Sequence, residues 1–382
     1  MKFVHIGCWN YKNHLNYNSN VSNVLNSLNN YVSENFTEDD FIVIAGDNYY
    51  PNLENYNTNI VKWIDIDEML SGFDKMPKNI KKYLLFGNND INDKTIIDDD
   101  NKDKIIKIFK NQKGYDSYKN ITENTNEIKT CRLVDIEMLY TKDKNYEVFN
   151  GVMFEFYKKN LVIMIDTSVY DNEINNESVQ CYKRILNSDY NKDLTVDELI
   201  ENQSKAIKYL ISKNINKCKN IIIIGHHPIC GMTTNNDNTD CYFNNKLADV
   251  FKNISKIIKS NKISINITYL CSHIHMYEES EININDILVK QYICGCGGAN
   301  LDELTPELSN EPGKNYEVII RHDDIYFKIK SVINRTYGYL SIKLSENNEN
   351  INVEFIKVKE IPKPNFEKKY KKYKSKYLSQ KN

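Results

Sequence analysis

Apolar residues recur along this chain in short, dense runs, and four of those runs stop abruptly at side chains that bind metals. They read FIVIAGDNYY (Phe41 to Tyr50), YLLFGNND (Tyr83 to Asp90), IIIIGHHP (Ile221 to Pro228) and ITYLCSHIH (Ile267 to His275). Short runs rich in β-branched and aromatic residues suit parallel strands covered on both faces. Each break into Asp, Asn, Tyr or His then lies at a strand's carboxyl end, where open α/β sheets place their ligand sites.

The pattern between these units predicts the remaining elements. Lys2 to Ile6 reads as a first strand, and the apolar positions from Val21 to Val32 have helical spacing. A helix is expected around Ile60 to Leu70, then strands over Cys131 to Tyr140, Val152 to Tyr157 and Leu161 to Asp166. Val196 to Ser212 and Val250 to Ile258 predict two further helices, and from Asp286 onward the pattern is mostly strands, Tyr337 to Leu344 among them. Strand pairs separated by helices imply an α/β fold, a two-sheet sandwich with helices on the outside. Residues 1–360 are expected to form this domain. Pro362 and Pro364 then interrupt regular structure, and residues 361–382 form a basic tail. The acidic stretch from Asp98 to Asp103 reads as a solvated loop, since it lacks the glycine turn and distal glutamate of a calcium loop.

Composition changes this picture in four respects. At 382 residues and 41% hydrophobic, the chain can bury a large core. The net charge of −2 hides an asymmetry, because residues 363–382 carry eight lysines and one glutamate, leaving the body at −9. No apolar stretch is long enough to span a membrane, and the amino terminus reads directly as a strand rather than a leader. Nine cysteines in scattered contexts suit reduced thiols, so a cytoplasmic setting is expected.

The chemistry concentrates in the strand ends. Four of the seven histidines lie in GHHP and SHIH, and oxygen and imidazole donors gathered this way suit hard to borderline cations. GDNYY, GNND, GHHP and SHIH, in that order, resemble the calcineurin-like metallophosphoesterases. GDN followed by an aromatic residue and Tyr resembles the purple, or tartrate-resistant, acid phosphatase branch. HIGCWN, IDTSVYD and YICGCGG agree with the same resemblance. It implies an αββα sandwich and hydrolysis of phosphomonoesters by a hydroxide activated on one or two metal ions (Fe, Mn or Zn). It also implies that Asp47 bridges two ions. Asn88, His226 and His273 would complete one shell, and Tyr50 and His275 would belong to the other. His227 either contacts substrate or fills the turn before Pro228.

Two positions depart from the family pattern. Cys8 stands where the first motif carries an aspartate, and no acidic residue precedes Glu34 to replace it. A thiolate can ligate zinc or iron; otherwise Cys8 is a small buried residue and the second ion is weakly held. Asn89 replaces a histidine that acts as general acid or orients phosphate, and an amide cannot donate a proton near neutral pH. The alternative is therefore a catalytically degenerate pseudo-phosphatase that binds a phosphorylated partner or acts as a scaffold. Expected partners are a phosphorylated small molecule or a phosphoprotein. In the tail, Phe366, Tyr370, Tyr373 and Tyr377 form an aromatic stripe if helical, surrounded by lysines. That stripe either packs on the body or accompanies lysine contacts to an anionic partner, nucleic acid or a membrane surface. Similar Lys-Tyr-rich ends resemble those of proteins from large DNA viruses, which adds a virion-associated location to the expectations.

Overall fold

The computed structural model describes residues 1–10, 19–48, 50, 72, 75–78, 80–90, 128–130, 152–171, 195–235, 238–302, 316–322, 325–333, 335–345 and 351–358. The helix expected at 60–70, the strand at 131–140, the acidic stretch at 98–103 and the tail at 361–382 lie outside them.

Two sheets face each other. The first has the order β16-β15-β1-β2-β3-β4 and the second β13-β14-β11-β12-β10-β7-β6-β5. In the first sheet, β1 (Lys2–Ile6), β2 (Phe41–Ala45), β3 (Lys81–Leu85) and β4 (Ile128–Thr130) run parallel. The strands β15 (Tyr337–Leu344) and β16 (Ile351–Val358) extend it antiparallel. The second sheet has a parallel centre of β6 (Asn160–Ile165), β7 (Asn220–Ile224), β10 (Asn266–Cys271) and β12 (Ile287–Cys294). It is flanked by β5 (Val152–Tyr157), β11 (Tyr277–Ile284), β13 (Tyr316–His322) and β14 (Ile325–Ile333). A separate hairpin pairs β8 (Cys230–Asn235) with β9 (Asn238–Phe243).

The apolar runs explain the layering. Successive strand side chains point to opposite faces, so the four isoleucines of β7 divide between two cores. Ile222 and Ile224 join Phe3, Val43, Leu85, Met164 and Leu270 between the sheets. Ile221 and Ile223 face outward against α2 (Val196–Asn214) and α3 (Asn245–Asn261). On the other side, Val4, Ile42 and Leu84 pack on α1 (Asn20–Asn35) through Val24, Leu25 and Leu28. The result is the expected αββα sandwich. Ser19 caps α1 by accepting from Ser22 N, and Asn244 caps α3 by accepting from Leu247 N, each satisfying an otherwise unpaired backbone N–H.

The helices run past the predicted limits, α3 beginning at Asn245 rather than Val250 and α1 ending at Asn35 rather than Val32. Polar end turns carry no apolar periodicity, so pattern alone trims them. The strand β11 was not legible because its inward positions include Glu278 and Ser280, both buried, and polar residues facing a core erase the usual alternation.

Candidate metal centre

The carboxyl ends of β1, β2, β3, β7 and β10 converge at one rim of the sandwich, and the chain twists there. Cys8, Asp47 and His273, all non-glycine, have φ of 52°, 51° and 65°. The left-handed region is costly for such residues and tends to persist at functional sites. Close approach is secured by glycine: a Cβ at Gly87 would sit 2.2 Å from Asp47 Oδ1, and one at Gly46, where φ is +86°, 2.5 Å from His226 Nδ1.

Asp47 occupies the middle. Its Oδ1 accepts from Asn89 N at 3.0 Å and lies 3.4 Å from His226 Nε2. Its Oδ2 accepts from Tyr50 OH at 2.7 Å and from Asn89 Nδ2 at 2.8 Å, with Cys8 Sγ at 3.9 Å. Asn88 Oδ1 lies 3.2 Å from His226 Nε2 and 3.1 Å from His273 Nδ1. Tyr50 OH is 3.0 Å from His275 Nε2. Two groups of donor atoms, His226/His227/His273 and Cys8/Asp47/His275, each lie within 4.8 Å of one another.

Burial sets the charge states. It raises the carboxyl of Asp47, but His226, His273 and hydrogen bonds from Tyr50 and Asn89 outweigh it and bring the group to about 2. Burial lowers His226 to about 4 and His273 well below its ordinary value. Burial and the Asp47 charge push the Cys8 thiol and the Tyr50 phenol well up. At neutral pH Asp47 is therefore ionised, and His226, His273, Cys8 and Tyr50 around it are neutral.

The tautomers follow from the hydrogen bonds. His226 Nδ1 meets Ala45 O at 2.7 Å and His275 Nδ1 meets Asn300 O at 2.6 Å. A carbonyl oxygen only accepts, so each Nδ1 carries the proton and each Nε2 presents a bare lone pair. The lone pair of His226 then faces Asn88 Oδ1 and Asp47 Oδ1 with no proton between them. At the other end, the single phenolic proton of Tyr50 is shared between Asp47 Oδ2 and His275 Nε2. Acceptors aimed at one another in a buried site repel unless a cation lies among them, and histidine ligands are usually fixed by such second hydrogen bonds. The residues present fit a pair of cations, with Asp47 touching both sets.

The profile of the Metallophos family, calcineurin-like phosphoesterase, matches residues 1–277. The chain belongs to the calcineurin-like phosphoesterases. These are metal-dependent hydrolases of phosphoesters, in keeping with the two donor groups. Among solved structures, that of PhoD is similar over 93% of this chain and 68% of its own, at 11% identity and a TM-score of 0.46. The comparison with curated proteins gave no match.

Every residue expected at the site of this phosphoesterase, from Cys8 to His275, is brought to the same rim. Four contributors were not singled out in the sequence. Thr167 accepts from the backbone N–H of both His226 and His227. Asp302 accepts from His275 N at 2.7 Å, Asn300 orients the His275 ring, and the Tyr242 ring packs 5.3 Å from that of His273. Only Thr167, inside IDTSVYD, lay in a recognisable motif. Cys294 and Cys296 sit behind the centre with sulfurs 3.7 Å apart. Their glycine-rich turn passes close by, Gly297 N donating to Gly7 O and Ala299 N to Cys8 O. No helix among the described residues is long and apolar enough to cross a membrane.

Buried neutral imidazoles make the metal-free protein acid-sensitive. His5, in β1, is held near 3 by burial, with His226 adding to the effect. An unfolded chain protonates such rings as pH falls below 6.5, whereas the fold resists until the pH nears 4 for His226 and 3 for His5. The unfolded state then binds more protons, so stability present above that window is lost on acidification. At about 1.4 kcal/mol per pH unit and group, the loss should reach several kcal/mol. Urea midpoints at neutral and mildly acidic pH measure it, and His5→Leu should recover part of it. Midpoints that do not move with pH would contradict neutral burial.

Proposed function

We propose that this protein hydrolyses phosphomonoesters in the manner of the purple acid phosphatases, using two adjacent cations. Asp47 would serve both, with Asn88, His226 and His273 placed to hold one and Tyr50, His275 and Cys8 placed to hold the other. The observation that carries this reading is the bare Nε2 of His226, which faces Asn88 Oδ1 and Asp47 Oδ1 with no proton between them. Iron, manganese and zinc all accept such oxygen, imidazole and sulfur donors, and a phenolate from Tyr50 favours ferric iron.

Bound cations would supply Lewis acidity toward phosphoryl oxygens and lower the pKa of the attacking water. The chain's own groups do the rest. Asp47 stays ionised across the working range, and the carbonyl partners of His226 and His275 hold their rings in the ligating tautomer. Asn89 is exposed, and its amide, now donating to Asp47 Oδ2, can turn to donate to a substrate oxygen. Its N–H is too weakly acidic to protonate a departing alkoxide. Esters with good leaving groups are therefore the preferred substrates, whether phosphorylated small molecules or phosphoproteins.

Purified protein loaded with iron, manganese or zinc should turn over an aryl phosphate between acidic and neutral pH. A preparation shown to contain the metal yet unable to do so would overturn the proposal and favour a phosphate-binding pseudo-phosphatase.

A further inference from the structure

The four active-site histidines are not alike. We infer that His227 is a phosphate-binding residue, locked by Thr167 into the one ring form that donates from Nε2, and that it is not a metal ligand. This rests on the phosphoester reading and names a substrate contact within it.

Thr167 Oγ1 accepts the backbone N–H of His226 at 2.9 Å and that of His227 at 2.8 Å. A hydroxyl has two lone pairs and one proton, so its acceptor capacity is spent. Only the proton is left for His227 Nδ1, 3.1 Å away. That nitrogen must accept, and the ring proton resides on Nε2. Protonating the ring would leave Nε2–H in place, so the donor persists in either state. The arrangement is opposite to that of His226 and His275, whose Nδ1 atoms face carbonyls and whose Nε2 atoms are bare. A nitrogen bearing a proton offers no lone pair to a cation.

The placement of Thr167 is enforced by its surroundings. Asp166 caps the short helix Thr167–Tyr170 by accepting from Ser168 N, and a Cβ at Gly225 would lie 2.4 Å from Thr167 Cγ2. Position 225 must stay small for the hydroxyl to reach both amides.

His227 is fully buried, and its Nε2 has no hydrogen-bond partner among the described residues. The ring lies 4.8 Å from that of His226 and 4.6 Å from that of His273, beside the donor atoms of the proposed metal site rather than in a remote core. A carboxylate oxygen, Asp171 Oδ2, lies 3.6 Å away, beyond hydrogen-bond range. An unmet buried donor is destabilising, and an oxygen of a bound phosphate would meet it. Asp171 is the competing acceptor.

Two measurements decide the matter. Nitrogen-15 spectra of the metal-free protein at mildly alkaline pH should show His227 with bare Nδ1 and protonated Nε2. Thr167→Val should lose that signature and Thr167→Ser keep it. Calorimetric titration of the metal-loaded protein with inorganic phosphate should show His227→Ala binding about 10- to 100-fold more weakly, with the metal content unchanged. The inference fails if Nδ1 carries the proton, if His227→Ala loses metal, or if it binds phosphate as well as the wild type does. A wild-type protein that binds no phosphate would instead sink the phosphoester reading, while the spectra still report the ring form.

Discussion

Asp47→Asn is expected to strip the centre of its metals and to lower aryl phosphate turnover by about 10³-fold or more, since each tenfold is only about 1.4 kcal/mol of transition-state stabilisation. The side chain keeps its shape but loses its charge, and its carboxylate is the contact shared by both donor sets. An amide in that position also puts an N–H where a lone pair is needed, toward either Tyr50 or His226. The fold should survive, because Asp47 supports no core cluster and Gly46 and Gly87 set the local backbone. Elemental analysis of metal per chain, together with aryl phosphate hydrolysis, tests both halves. A variant that keeps its metal and its turnover would show that Asp47 is not the common ligand.

The second large effect should run the other way. Cys8→Asp with Asn89→His is expected to raise turnover by about 10²- to 10⁴-fold on alkyl phosphates, the range that general acid help supplies. Aryl phosphates should gain less, because their leaving groups need little protonation. The structure gives each substitution a separate readout. Cys8 is wholly buried with its sulfur 3.9 Å from Asp47 Oδ2, and burial together with the Asp47 charge keeps the thiol protonated until a cation arrives. A carboxylate there needs no such ionisation, so Cys8→Asp alone should strengthen binding of the cation proposed for Tyr50 and His275. Asn89 is exposed, so an imidazole can be accommodated without repacking, and Asn89→His alone should change the leaving-group dependence without changing metal content. Metal titration separates the first effect from the second. No gain in either quantity would mean that these two departures do not limit the site.

Much of this protein was legible in one dimension. β7 reads as a buried strand because four isoleucines in succession can only be accommodated between two apolar layers, and Ile221 to Ile224 do divide between the two cores. The candidate ligands were legible for the same local reason, since each follows such a strand directly and is delivered to the same rim by the parallel pairing. Less visible were elements whose side chains break the rule for their setting. Glu278 and Ser280 turn inward in β11, and the β8–β9 hairpin that brings Tyr242 to His273 carries no strong alternation.

Residue types, their order and their attachment to strand ends were thus determined by the sequence itself, because strand periodicity and the break that follows it are properties of neighbouring residues. Which nitrogen of each histidine bears a proton was decided only by tertiary structure. The partners that fix it, Ala45 O for His226, Asn300 O for His275 and Thr167 Oγ1 for His227, come from other strands and loops. Hydrogen bonding is short-ranged and directional, so two adjacent histidines that look alike in GHHP acquire opposite chemistry from contacts some 60 to 180 residues away along the chain.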